Sequence, residues 1–537
     1  MWNGRYQHTF SSCAVFFIQE NIFLYINGVF YRLFGGNMAK KIMFQGTGSS
    51  VGKSLIVAAM CRILNDEGIK VAPYKSQNMA LNSFITEDGK EMGRAQVVQA
   101  EAARIKPTVE MNPVLLKPTS DVGSQVILNG VVFTNMDALN YFSAKEILIP
   151  HVKAAFDALA NQYEVVVIEG AGSPAEINLR SRDIVNMGLA ELVDSDVIII
   201  GDVDKGGVFA SLYGTFMLLS ESEQKRVKGF LINKFRGDVS LLMPGVEMLE
   251  KLIDRPCVGV IPHIQNLKID DEDSVTERFN ANKKGDIKIG VVKLPYMSNF
   301  TDFTVFDIEP DVNLNYLTEA EQVSDCDLII IPGSKNTIHD MRFVSESGFQ
   351  QALYRYHRQG KKLIGVCGGY QILGQTIEDN YGVESKEVKI NGLGLLNVAT
   401  QMAKEKTTRQ AKGKILHTIT DEKLVGTEVT GYEIHMGEST VLSGESKAFL
   451  VTDKGHEDGQ ISSDGLVMGT YYHGIFDNDD FRNALLGEIR NYKGLAQNTA
   501  TLSYEQLKDL EYDRLAKHVK EHLNMPLLKD ILNASRS

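Results

Sequence analysis

Six short apolar runs mark the first half of the chain: KIMFQG (41–46), IKVAPY (69–74), EVVVIEG (164–170), DVIIIGDV (196–203), KGFLINKF (228–235) and CVGVIP (257–262). Each is bounded by Gly, Pro or Asp, and helix-length stretches separate most of them. Their hydrophobicity is continuous rather than alternating, the pattern of strands covered on both faces. This predicts a doubly wound, mostly parallel α/β sheet. Residues 270–286, DDEDSVTERFNANKKGD, are polar and without periodicity and read as a linker. A second α/β pattern follows, with IKIGVVKLP (287–295), CDLIIIPG (326–333), KKLIGVCGG (361–369) and GLVMGTYYHGIF (465–476) as its strands. Near the end, Leu507, Leu510, Leu515 and Val519 recur at helical spacing and predict an amphipathic helix over 503–523.

At 537 residues the chain has room for several cores. The expected division is a doubtful N-terminal extension at 1–37, an ATP-binding domain at 38–265, a linker at 266–286, a second catalytic domain at 287–490 and a helical tail at 491–537. The extension is aromatic-rich, but Gln19, Glu20 and Asn21 interrupt it where an export signal would be apolar. Met38 directly precedes the first strand, so it is expected to be the true start, with an ordered terminal strand or helix as the alternative. A net charge of −12 disfavours nucleic-acid binding, and no apolar run is long enough to span a bilayer. Five cysteines without paired spacing fit neither a disulfide framework nor a zinc site, and point to the cytoplasm.

Two stretches carry chemistry. GTGSSVGKS at 46–54 joins a strand to a helix, as a phosphate-binding loop requires. Gly46, Gly48, Val51 and Gly52 shape the loop, Lys53 reaches phosphate, and Ser54 is placed to hold Mg²⁺. Glu169, at the end of a buried strand, is the expected second Mg²⁺ ligand, with Asp202 and Asp204 as further candidates. The other stretch, GVCGG at 365–369, turns a strand sharply into a helix with Cys367 at the corner, the thiol counterpart of a nucleophile elbow. His473 is the expected base and His435 its rival. The backbone N–H groups of Gly333 and Gly368 are candidates for an oxyanion hole.

The displaced glycine of the first motif is similar to that of dethiobiotin synthetase and its relatives, which turn a carboxylate into an acyl phosphate with ATP. That resemblance makes Asn233 a nucleotide contact. The second motif resembles class I glutamine amidotransferases, in which a cysteine releases ammonia from glutamine. Their Glu two residues after the His is replaced here by Ile475, which leaves the third member unassigned.

Longer runs, among them YKSQNMALNSFITEDGKEMGRAQVVQAEAA, EGAGSPAEINLRSRDIVNMGLA, GDVDKGGVFASLYGT, LPYMSNFTDF and GTYYHGIFDN, resemble the glutamine-hydrolysing cobyric acid synthases from Met38 onward. The resemblance implies amidation of the b, d, e and g carboxylates of adenosylcobyrinic acid a,c-diamide, with ATP and glutamine as co-substrates, Mg²⁺, and no tightly bound organic cofactor. The sister enzyme acting on the a and c carboxylates is the runner-up, and a non-hydrolysing second domain is the reading from another class. Lys75, Gln77, Asn78, Asn82, Arg94 and Arg180 are expected contacts to the acidic corrinoid, with Arg182 and Lys205 nearby. The oligomeric state stays open.

Overall fold

A computed structural model describes residues 13–18, 21–26, 29–34, 39–118, 123–180, 183–269, 285–442, 447–497 and 502–534. Most of the expected linker, 270–284, and Arg182 lie outside these residues. Within the N-terminal segment, Cys13–Ile18, Asn21–Ile26 and Val29–Phe34 pair antiparallel as a sheet of their own.

The six apolar runs of the first half all form strands: β1 (Lys40–Gly46), β2 (Val71–Tyr74), β3 (Val165–Glu169), β4 (Asp196–Asp202), β5 (Val227–Phe235) and β6 (Cys257–Pro262). They pair in parallel in the order β6-β5-β4-β1-β3-β2. β1 lies between β3 and β4, so their C-terminal ends converge on one edge, where ligands bind in such sheets. Helix α1 (Lys53–Asp66) covers one face with Ile56, Val57 and Met60 fully enclosed. The 25-residue helix Ala138–Gln162 covers the other through Val152 and Phe156. Between β2 and β3 the chain makes a short hairpin, Ser83–Ile85 with Glu91–Gly93, which leads into α2 (Arg94–Ala102).

In the second domain, β7 (Ile287–Val292), β8 (Val312–Leu317), β9 (Leu328–Ile331), β10 (Lys362–Val366) and β11 (Val467–Thr470) are parallel in the order β8-β7-β9-β10-β11. The sheet continues antiparallel into a long hairpin, Val398–Ile415 with Glu428–Val441. The hairpin reaches the first domain. Thr408 Oγ1 donates to the Gly89 carbonyl at 2.9 Å, and Lys406 Nζ lies 2.6 Å from Glu91 Oε2.

The tail forms α3 (Tyr504–Lys520) and α4 (Met525–Ala534), and both return to the first domain. Tyr512, Leu515, Ala516 and Val519 are its buried face, whereas Leu510 is 53% exposed, so the stripe turns on Tyr512 rather than on Leu510. Arg62 of α1 is fully buried under α3, within 2.6 Å of Asp509 and 2.7 Å of Asp513. Arg62→Met is expected to destabilise this domain by about 2–4 kcal/mol, since it strips the tail of its anchor. The check is a fall in the denaturation midpoint followed by fluorescence.

Candidate active sites

The loop at the end of β1 is folded around its own lysine. Lys53 Nζ donates to the carbonyls of Gly48 (2.8 Å), Ser49 (3.1 Å) and Gly172 (3.2 Å). Only glycine suits the two hinge positions. A Cβ at Gly46 would lie 2.5 Å from Val51 Cγ2, and Gly52 has φ +95° with Asn233 Nδ2 2.3 Å from where a Cβ would stand. Asn233, at the end of β5, donates to the Val51 carbonyl at 2.9 Å and braces the loop.

Glu169 ends β3 directly beside this loop. Ser54 Oγ donates to its Oε1 at 2.8 Å, Lys75 Nζ to the same oxygen at 3.0 Å, and Gln99 Nε2 to its Oε2 at 2.5 Å. Burial alone would push this carboxyl up. The Lys75 charge, the Gln99 hydrogen bond, the Lys53 charge and the Ser54 hydroxyl outweigh burial and hold it below the usual carboxylate range. The anion is thereby kept ready in a dry site. Among the described residues no three His, Cys, Asp or Glu side chains cluster as a self-sufficient metal cage. A hydroxyl and one ionised carboxylate in contact are instead the hard-oxygen set that fits Mg²⁺ shared with a nucleotide. Asp202 is buried and 3.1 Å from Lys234, which also donates to the Ser50 carbonyl of the loop; Asp204 is exposed and paired with Arg236.

The other expected corrinoid contacts are spread widely. Gln77 accepts from the Tyr141 hydroxyl at 2.5 Å, and Arg94 lies 5.5 Å over the Phe84 ring. Asn78 Nδ2 donates to Gln96 at 3.2 Å. Asn82 is turned to the domain seam, where its Oδ1 accepts from the Phe300 N–H at 2.9 Å. Arg180 donates to the Leu218 carbonyl at 2.6 Å and lies 3.2 Å from Glu223, and Lys205 is exposed.

Adjacent parallel strands make the second site. Val366 of β10 pairs with Thr470 of β11, and the Cys367 N–H donates to the Thr470 carbonyl at 2.8 Å. Cys367 therefore follows one strand end and His473 the next. Cys367 holds φ +52° and ψ −109°, a conformation that non-glycine residues rarely adopt and that aims a nucleophile outward from an elbow. A Cβ on Gly333 would come within 3.2 Å of His473 Cε1, and one on Gly368 within 2.7 Å of the Ser334 nitrogen. Gly368 thus packs against the backbone next to Gly333, and Gly333 against His473.

The missing acid comes from far away in sequence. Asp302, in the short 3₁₀ helix Phe300–Asp307, accepts from His473 Nδ1 at 2.6 Å and from the Gly474 N–H at 3.1 Å. Ile475, in the position where a glutamate was sought, is fully buried in the core. Sequence spacing could not locate Asp302, which is 171 residues from its histidine, although it lies inside the quoted run LPYMSNFTDF. His435 is not equivalent as a base: Nδ1 faces the Gly437 carbonyl at 2.7 Å and Nε2 faces Glu433 at 3.2 Å, so both nitrogens are already engaged by neighbours other than Cys367.

Burial alone would depress the His473 imidazole, but the Asp302 carboxylate and the adjacent Cys367 raise it to about 10. The site rests with a protonated histidine beside the sulfur. Asp302→Asn removes the main support for that proton and leaves only the Cys367 sulfur to oppose burial. Glutamine hydrolysis is expected to fall by on the order of 10²–10⁴-fold, with the imidazolium-dependent limb of the pH–rate profile moving to lower pH. An unshifted profile would remove Asp302 from this role.

A phosphate loop facing an ionised carboxylate, joined in one chain to a Cys-His-Asp site of class I amidotransferase geometry, defines a glutamine-hydrolysing, ATP-using carbon–nitrogen ligase. Comparison with known proteins agrees domain by domain. Residues 42–276 match the CobQ/CobB/MinD/ParA nucleotide binding domain, and residues 288–481 match the CobB/CobQ-like glutamine amidotransferase domain. The chain is 49% identical over 508 residues to the cobyric acid synthase of Caldanaerobacter subterraneus subsp. tengcongensis, covering 93% of this chain and 100% of that relative. It is 51% identical over 501 residues to that of Alkaliphilus metalliredigens, covering 91% and 99%. The chain belongs to the cobyric acid synthase family, enzymes of cobalamin biosynthesis.

Proposed function

We propose that this enzyme amidates the b, d, e and g carboxylates of adenosylcobyrinic acid a,c-diamide, one ATP and one glutamine per amide, to give adenosylcobyric acid. The observation that carries the mechanism is the pair of distinct sites in one chain, one built on Lys53, Ser54 and Glu169 and one on Cys367, His473 and Asp302.

In the first site, Gly46, Gly48, Val51 and Gly52 cradle the triphosphate, Asn233 supports the nucleotide, and Lys53 exchanges its loop carbonyls for phosphate oxygens. Ser54 and Glu169 would hold Mg²⁺, which supplies charge neutralisation at the phosphates. A corrinoid carboxylate oxygen attacks the γ-phosphorus and ADP leaves, forming an acyl phosphate. Of the corrinoid contacts, Lys75 lies nearest to this chemistry, beside Glu169.

In the second site the Cys367 thiolate adds to the glutamine side-chain carbonyl, and the N–H groups of Gly333 and Gly368 stabilise the oxyanion. His473 gives its proton to the departing nitrogen, which leaves as ammonia. The neutral imidazole then takes a proton from water, whose oxygen attacks the thioester and releases glutamate. Ammonia attacks the acyl phosphate, phosphate leaves, and the amide remains.

No described helix is long and apolar enough to cross a membrane, and Cys61, Cys257, Cys326 and Cys367 are free, which fits a cytoplasmic setting. The test is incubation with ATP, Mg²⁺, glutamine and adenosylcobyrinic acid a,c-diamide, followed by mass spectrometry of the corrinoid. Four successive carboxylate-to-amide exchanges are expected. No exchange with this acid, but exchange with cobyrinic acid, would assign the a and c carboxylates instead.

A further inference from the structure

Glutamine is a zwitterion at one end and an uncharged amide at the other, and the cavity at Cys367 carries charge of both signs. Its lining includes the ammonium groups of Lys117, Lys335 and Lys406 and the carboxylate of Glu384. Two of the lysines are already matched. Glu91 holds Lys117 Nζ at 2.9 Å from Oε1 and Lys406 Nζ at 2.6 Å from Oε2, and against burial these cations keep its carboxyl down at about 2. Lys335 and Glu384 are left over.

Neither of them is loosely held. Lys335 stands two residues after Gly333, whose strand Gly333–Ser334 pairs antiparallel with Met297–Ser298, and the Lys335 N–H donates to the Tyr296 carbonyl at 2.9 Å. The cation and a candidate oxyanion donor therefore share one braced segment. Glu384 comes from another loop, which Asp379 ties down by accepting from the N–H groups of Val383 (2.8 Å), Glu384 (2.8 Å) and Ser385 (3.0 Å). The Thr337 N–H, at the start of the helix Thr337–Glu346, donates to Glu384 Oε2 at 2.9 Å and aims the carboxylate.

The two charges attract each other, but among the described residues no hydrogen bond or ion pair joins them. Burial outweighs that attraction at both ends, pushing the Glu384 carboxyl up and the Lys335 ammonium down. Two braced charges of opposite sign, each short of a partner, are complementary to a zwitterion. One end of such a ligand is fixed by the chemistry, because the amide carbon under attack must lie at Cys367 Sγ. Its α-ammonium and α-carboxylate then extend into the rest of the cavity, where Glu384 and Lys335 wait.

We propose that Glu384 and Lys335 select free glutamine for this site, Glu384 receiving the α-ammonium and Lys335 the α-carboxylate. The inference rests on the reading of Cys367 as the glutaminase nucleophile. Both residues bind and place the substrate, and neither takes part in bond making.

The test compares three amides on the full chain: glutamine, glutaramate, which lacks the α-amino group, and 4-aminobutanamide, which lacks the α-carboxylate. Ammonia release is followed in the wild-type enzyme, Glu384→Gln, Lys335→Met and Lys335→Arg. The wild-type enzyme is expected to prefer glutamine over either analogue by on the order of 10–10²-fold in kcat/KM. In Glu384→Gln the preference over glutaramate collapses and that over 4-aminobutanamide persists. Lys335→Met gives the reverse, and Lys335→Arg, which keeps the charge, restores the preference. The loss with glutamine falls mainly on KM in both. Each ratio is taken within one protein, so a partly unfolded variant does not alter it. A wild-type enzyme that hydrolyses either analogue as well as glutamine overturns the assignment before any variant is made. Variants that lose all three amides in proportion overturn it too, because the residues then serve only the fold. No ammonia from glutamine in the wild-type enzyme removes the Cys367 reading, and the assignment with it. The ratios are blind to which acid is amidated, so failure here and failure of the corrinoid assay are distinguishable.

Discussion

Cys367→Ser is expected to lose glutamine-supported amidation by on the order of 10⁴-fold or more and to keep amidation with added ammonium salt. The reason lies in the protonation state of its partner. His473 is held as an imidazolium up to about pH 10 by Asp302 and the adjacent sulfur, an arrangement matched to a thiolate, which needs no further base. A serine hydroxyl does need one, and an imidazole whose proton Asp302 still favours supplies it poorly. The ligase site shares no residue with this constellation, so ammonia from solution still reaches the acyl phosphate. Parallel assays with glutamine and with ammonium, each scored by corrinoid mass, check both halves. Loss of both activities would contradict the division of labour. Three other thiols give a built-in control for chemical labelling: burial pushes Cys257 up to about 11 and Cys326 up to about 12, and raises Cys61 still further, so a glutamine-analogue alkylator is expected on Cys367 in preference to these three.

Lys53→Ala is expected to give the complementary pattern, loss of synthesis with either nitrogen source by on the order of 10²–10³-fold or more. Lys53 is 3% exposed and its ammonium is held by three loop carbonyls, so its charge is fixed where phosphate oxygens would gather. Alanine leaves those carbonyls converging on an anion without a cation between them. Glutamine hydrolysis by this variant, measured as glutamate release, is expected to persist because Cys367 and His473 do not touch the loop. A variant with normal amide synthesis would remove Lys53 from the site.

The parallel strands were legible because burial on both faces writes continuous Val, Ile and Leu runs into the chain, and all six runs of the first half are strands. The long hairpin of residues 398–441 was not. Its first strand, VATQMAKEKTTRQAKGKI, is mostly polar, since much of it pairs with its partner strand and with the first domain rather than with an apolar core. The tail was read as an amphipathic helix, but which face it buries depends on Arg62 and α1, more than 400 residues earlier.

The sequence by itself determined the two chemistries. A phosphate loop and a nucleophile elbow are local devices, in which the residues that do the work and the glycines that let the backbone turn lie within a few positions of each other. Tertiary structure decided everything that depends on distant parts meeting. Asp302 completes the histidine site because the 3₁₀ helix that follows β7 reaches the residues that follow β11, Glu169 meets Ser54 because β3 runs beside β1, and Asn82 faces Phe300 because the domains dock. Hydrogen bonds between side chains are short-ranged and orientation-dependent. No spacing rule along the chain can therefore anticipate them when the fold alone brings the partners within reach.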